Sequence, residues 1–190
     1  MIETWAIILI HQILFQGMFL VKNYSLSRKI GVKIRGHNIE ATVSVLFFAL
    51  FIIVAFAISL FEQPFGKIQL LDDLNATVLG CALLTLNLVI SAASLINMRE
   101  SWRVGVLEEQ QTQLVTSGIY RFTRNPYFVS YFLMFAAYTL LTQNLILMML
   151  TSIGILLTHI MIIKEERYLY GVHGKAYIEY KGEVPRYLFI

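Results

Sequence analysis

The run Asn125–Ile163, NPYFVSYFLMFAAYTLLTQNLILMMLTSIGILLTHIMII, holds 39 residues without one Asp, Glu, Lys or Arg. As one helix it would be roughly 58 Å long, nearly twice the ~30 Å hydrocarbon core of a bilayer. Thr142-Gln143-Asn144 in its middle supplies polar turn residues. The run therefore predicts a tight helical hairpin, with crossings at about 126–142 and 145–163. Outward from it, three further uncharged runs, Thr4–Val21, Ala41–Phe61 and Leu74–Met98, have 18, 21 and 25 residues. Each fits a single crossing, at about 4–22, 41–61 and 75–98. The predicted fold is all-α and integral to the membrane, with five transmembrane helices in one domain over 1–190. That domain divides into a three-helix part, 1–98, and a part carrying the chemistry, 99–190.

Composition agrees with a membrane solvent. Hydrophobic residues make up 57% and charged residues 14% of the chain, and the net charge of +3 is too weak to argue for nucleic acid. Five crossings also sort the charges. Lys22, Arg28, Lys29, Lys33 and Arg35 follow the first span, Arg99, Arg103, Arg121 and Arg124 the third, and Lys164, Arg167, Lys175, Lys181 and Arg186 the fifth. Only Lys67 falls on the other side, beside Glu62, Asp72 and Asp73. Because cytoplasmic loops retain Lys and Arg, the N-terminus is expected outside and the C-terminus in the cytosol. The first span has no basic n-region and reads as a retained anchor. Cys81 lies in an apolar run as a small hydrophobe, which leaves no cysteine pair for a disulfide or a zinc site.

Two segments on the predicted cytosolic side, 99–125 and 164–190, are too long to be connectors, and the hairpin makes them neighbours. The tail is expected to continue as a helix from about Ile160 through Tyr170, to break over Gly171-Val172-His173-Gly174, and to form a short helix from Lys175 to Lys181 that stops at Gly182. Pro126 reads as the first residue of the fourth helix, which would leave backbone N–H donors at the interface for an anion, with Arg124 beside them. Glu165 and Glu166 stand about 100° apart on a helix, so one carboxylate can face the hairpin while the other faces water and accepts hydrogen bonds from ribose hydroxyls or an ammonium. Tyr170, Tyr177 and Tyr180 offer faces for an adenine or a sulfonium, or for packing. Trp102 and Arg121 are of the types that anchor a helix at the interface. His11, His37, His159 and His173 have no metal-ligand spacing, so no metal site is expected. His159, close before the acidic pair, is a candidate to line a cavity there.

Leu114-Val115-Thr116-Ser117-Gly118-Ile119-Tyr120, Arg124-Asn125-Pro126, an apolar hairpin, Glu165-Glu166, Gly174-Lys175-Ala176-Tyr177 and Val184-Pro185-Arg186 occur in that order. Over 99–190 this arrangement resembles the isoprenylcysteine carboxyl methyltransferase and phospholipid methyltransferase superfamily. The resemblance implies an integral-membrane transferase that uses S-adenosylmethionine at the cytosolic face of a prokaryotic plasma membrane or the endoplasmic reticulum. It also implies an acceptor that is lipid-like or a small hydrophobic molecule, of isoprenylcysteine carboxylate or phospholipid amine type. Carried over residue by residue, the cofactor shell falls on Gln113, Leu114, Val115, Tyr120, Asn125, Pro126, Tyr127, Glu165 and Glu166, with Arg124 and Glu166 in the catalytic roles. The family usually has Arg-His-Pro-x-Tyr where this chain has Arg124-Asn125-Pro126-Tyr127-Phe128. Asn125 can hydrogen-bond but not titrate near neutral pH, which removes a general base from that position. Met161-Ile162-Ile163 precede Lys164 where the carboxyl methyltransferases hold the acceptor with an arginine. A sterol-type NADPH-dependent membrane reductase and a non-enzymatic membrane scaffold remain as alternative readings.

Overall fold

The structure, a computed structural model, describes residues 3–30, 39–61, 65–102 and 113–188. Lys33, Arg35, His37, Glu62 and Arg103 lie outside the described residues. The described residues form six helices: α1 (Thr4–Ile30), α2 (Ile39–Phe61), α3 (Asp73–Asn97), α4 (Pro126–Thr142), α5 (Leu145–His173) and α6 (Lys175–Glu183). Short 3₁₀ turns cover Arg99–Ser101 and Gly118–Arg121, and no strand forms among the described residues. By length and composition α1, α2, α3 and α5 can each cross a membrane; α4 is equally apolar but has 17 residues.

Helix α4 is the centre of the bundle, in contact with α1, α2, α3 and α5. Its tightest neighbour is α3, which turns Ala76, Gly80, Leu84, Asn87, Ser91, Ser94 and Leu95 inward at spacings of three and four. Small side chains let the backbones approach closely: a Cβ on Gly80 would lie 2.7 Å from Leu141 Cγ. Ser91 Oγ donates to Ser130 Oγ at 2.8 Å and Asn87 Nδ2 to the Ser130 carbonyl at 2.7 Å. His11 on α1 completes this seam, with Nδ1 2.8 Å from Tyr138 Oη and Nε2 2.9 Å from Asn87 Oδ1. Gln12 donates to the same Tyr138 oxygen at 2.7 Å. These buried polar groups satisfy one another where no water would.

Gln143 and Asn144 alone join α4 to α5, which run back along each other through Thr139–Thr151 and Phe135–Gly154 contacts. Gln143 takes the left-handed conformation (φ 44°) and Asn144 caps α5 by accepting from Ile146 N at 2.9 Å. The connection between α2 and α3 docks on this link. Ile68 N donates to the Gln143 carbonyl at 2.8 Å, Leu145 N to the Gly66 carbonyl at 2.7 Å, and Leu70 and Leu71 N–H groups to Gln143 Oε1.

Three expected boundaries move. Helix α1 runs to Ile30, two turns past position 22, because its last turns dock: Leu26 is buried, Asn23 accepts from Trp102 Nε1 at 2.8 Å, and Lys29 pairs with Glu100. Helix α5 continues through His173, so the Gly171-Val172-His173 break is absent and only Gly174, at φ 50°, ends it. Helix α6 includes Gly182 and stops after Glu183, where the Val184 N–H caps on the Tyr180 carbonyl.

Candidate functional site

At the end of the bundle away from the Gln143-Asn144 link, the 113–125 segment and the tail meet. Gly118 sets the approach. It sits at φ +64°, and a Cβ there would collide with Asn97 Oδ1, the atom that accepts from Ile119 N at 2.8 Å. This contact fastens the 3₁₀ turn to the end of α3. Gly118→Ala is therefore expected to cost roughly 1–3 kcal/mol, read as a lowered thermal midpoint of the detergent-solubilised protein beside wild type.

Residues 120–125 pair with the tail. Tyr180 Oη donates to the Tyr120 carbonyl at 2.7 Å, Thr123 Oγ1 to the Arg186 carbonyl at 2.8 Å, and Arg124 N to the Pro185 carbonyl at 2.9 Å. Pro126 opens α4 as expected, yet the donors just before it are engaged: Arg124 N by Pro185 and Asn125 N by Thr123 Oγ1.

The two adjacent glutamates have different environments. Glu166 is buried, and two arginines and an asparagine converge on it. Arg124 contributes Nε at 3.2 Å and Nη2 at 3.1 Å, Asn125 Nδ2 lies at 3.0 Å, and Arg186 reaches Oε2 through Nε at 3.1 Å and Nη2 at 2.9 Å. Arg124 also donates, through Nη1, to the Val184 and Lys181 carbonyls. Burial raises the Glu166 carboxyl, but the Arg186 hydrogen bonds, the Arg124 charge and the Asn125 amide outweigh it and leave the group below its ordinary value. Glu165 is half-buried and has no hydrogen-bond or ion-pair partner among the described residues. Its burial, with the adjacent Glu166 charge, pushes its carboxyl up to about 7.

A cavity of about 390 Å³ opens at this point. The ten residues that the family resemblance carried over line it: Gln113, Leu114, Val115, Tyr120, Arg124, Asn125, Pro126, Tyr127, Glu165 and Glu166. The Arg124 fork is filled by Glu166 and the tail carbonyls. Glu165, by contrast, keeps its carboxylate available. Sequence reasoning missed much of the wall. Trp102 is buried in it, edge-on to Tyr127 at 4.9 Å and to Phe19 at 6.0 Å, rather than exposed as an interface anchor. Phe15, Phe19 and Phe48 from α1 and α2 also line it, and no local pattern in those helices separates them from lipid-facing phenylalanines. Arg186, which the sequence marks only as a cytosolic charge and part of a motif, is the second cation on Glu166. His159 does not line the cavity and pairs with Tyr187 Oη.

Tyr177, whose buried hydroxyl lies beside Arg124 and meets no hydrogen-bond geometry among the described residues, lines this cavity. Such a hydroxyl, beside an available carboxylate and under aromatic walls, suits a ligand with polar hydroxyl or amino groups and an apolar or cationic part. The volume lies within the usual range of small-molecule sites.

Fold and cavity together describe a protein that is all-helical among the described residues, with helices long and apolar enough to cross a membrane and a cavity at one end of their bundle. The family model for phospholipid methyltransferases matches residues 75–176, more than half of the chain, and the chain belongs to that family. It is a membrane methyltransferase by family, which implies a methyl donor. No curated protein matches the chain.

Proposed function

We propose that the protein transfers a methyl group from S-adenosylmethionine to a lipid-like acceptor at the cytosolic face of its membrane. The observation that carries this reading is one cavity lined together by Glu165, Tyr177 and the Trp102–Tyr127 aromatic pair. Five crossings fit this arrangement. Helix α4 is about 25 Å long by its residue count, and its burial among four other helices lets a short span be sheltered by protein rather than lipid. The hairpin of α4 and α5 then brings 113–125 and 164–188 to one face, and the distribution of Lys and Arg makes that face cytosolic.

When bound, the cofactor supplies a methyl group made electrophilic by its sulfonium. Glu165 accepts hydrogen bonds from its hydroxyl or ammonium groups, and Tyr177 Oη donates or accepts one more. Trp102, Tyr127 and Tyr131 present ring faces and edges that favour a cation and keep water out. Arg124, Glu166, Asn125 and Arg186 act as the frame that fixes residue 165 and the tail in register. Toward the bundle interior the cavity wall becomes apolar, with Phe47, Ile52 and Leu157 among its residues, which suits a hydrophobic acceptor aligned with the methyl group. An acceptor carboxylate would need no base, because it is already nucleophilic.

The full chain in dodecyl maltoside, titrated calorimetrically, is expected to bind S-adenosylhomocysteine saturably at one site per chain and to give no heat with NADPH. Silence with S-adenosylhomocysteine, or its displacement by NADPH, would overturn the proposal.

A further inference from the structure

On the far side of Glu166 from the apolar part of the cofactor cavity, α5 and α6 enclose an open groove of about 550 Å³. Three cations, Arg167, Lys181 and Arg186, line it against one carboxylate, Glu166, whose oxygens are already taken by Arg124, Asn125 and Arg186. Neither Arg167 nor Lys181 has an ion-pair partner among the described residues. The groove thus carries two cations, Arg167 and Lys181, that no carboxylate of the described residues pairs with.

Its setting says which anion fits. Met149, Ile153, Leu156 and Ile160 follow one another along α5 at spacings of four, three and four residues, and each is between 46% and 60% exposed. They form one lipid-facing stripe. Three residues on, the stripe reaches Ile163, then Arg167, then Tyr170, all of which line the groove. Ile178 on α6, 53% exposed, completes an apolar lip. A helix stripe suited to an acyl chain therefore ends in a cluster of cations at the depth where α5 gains its first charged residues, Lys164 to Arg167.

We propose that this groove holds the phosphodiester headgroup of an anionic phospholipid, with its acyl chains along the Met149–Ile160 stripe of α5. Arg167 presents a planar fork to phosphate oxygens and Lys181 adds a mobile point charge, while Arg186, whose Nε and Nη2 are held by Glu166, leaves Nη1 for a further contact. A zwitterionic choline headgroup carries its own cation into the same cluster and is disfavoured. The lipid is a bound ligand here rather than the methyl acceptor. Its site depends on the proposed function only for the choice of leaflet.

The test uses the full chain in dodecyl maltoside, titrated with dioctanoyl phosphatidylglycerol, dioctanoyl phosphatidylcholine or inorganic phosphate, with wild type beside an Arg167→Gln/Lys181→Gln variant. Both side chains are exposed, so the variant is expected to keep its thermal midpoint. Phosphatidylglycerol should bind wild type and lose on the order of ten- to thirtyfold in affinity in the variant, while phosphatidylcholine binds weakly and equally to both. Equal phosphatidylglycerol affinity in the two proteins, or phosphatidylcholine binding as tight as phosphatidylglycerol, overturns the site. Inorganic phosphate binding as tightly as phosphatidylglycerol overturns the lipid as its occupant. S-adenosylhomocysteine is titrated into the same samples; its failure to bind wild type would sink the methyltransferase reading and leave the lipid result standing.

Discussion

Glu166→Gln is expected to lower stability by about 3–5 kcal/mol and to remove S-adenosylhomocysteine binding with it. The Arg124 and Glu166 side chains are each only 7% exposed. Breaking such a pair from one side leaves a buried cation without its counter-charge, which costs on the order of 3–5 kcal/mol. That is a large part of the ~5–15 kcal/mol that holds a typical domain together. Glutamine retains one acceptor oxygen and turns an amide N–H toward guanidinium groups that also only donate. The strain spreads because Arg124 also holds the tail through the Val184 and Lys181 carbonyls. Thermal unfolding in detergent reads the first effect and calorimetry the second. A wild-type midpoint in Glu166→Gln would show that the cluster does not frame the site. The pH dependence has a definite sign. A carboxyl held below its unfolded value stabilises the fold above the ordinary glutamate range, and that contribution is lost as pH falls through the lower, folded value. The wild-type midpoint should accordingly drop steeply below about pH 4, and Glu166→Gln should not show that step.

Glu165→Gln, one residue away, should act on binding without harming the fold. Removing a charge-assisted hydrogen bond costs about 1.5–3 kcal/mol, which corresponds to a ten- to hundredfold loss of S-adenosylhomocysteine affinity. No hydrogen bond or ion pair within the described protein is lost with it. Since the Glu165 carboxyl is pushed up to about 7, the binding form gains population as pH rises from 6 to 8. Wild-type affinity should rise over that interval, and the variant's should stay flat. Stability moves the other way. A carboxyl whose value is raised on folding favours the protonated folded state, so folding loses stability as pH climbs from the unfolded value to about 7 and the loss persists above it. At pH 8 the glutamine variant should melt higher than wild type. A variant that melts lower and keeps its affinity would reverse the roles assigned to the two glutamates.

The ten lining residues share one cavity because their elements are brought together by α4 and α5, and both helices could be read from local signals: Pro126 at the start of one, Gln143-Asn144 between them, and long uncharged runs on either side. Boundaries at polar ends were less legible. Gly171 and Val172 favour a break locally, yet α5 continues through them. Lys22 marks the end of an apolar run, yet α1 goes on because Asn23 and Leu26 find partners near Trp102. For α1, contacts from distant parts of the chain outweighed a preference of a few tenths of a kcal/mol per residue.

The sequence by itself determined that this chain is helical and apolar enough for a membrane, and it predicted that the segments 99–125 and 164–190 are neighbours. These follow from uncharged run lengths and turn chemistry, which are local and carry their meaning along the chain. Only the tertiary structure decided which glutamate is locked and which is available, that Arg186 is the second arginine on Glu166, and that Phe15, Phe19, Phe48 and Trp102 form the wall. Neighbouring residues on a helix differ by about 100° in direction, and which direction faces a partner depends on where the other helices cross.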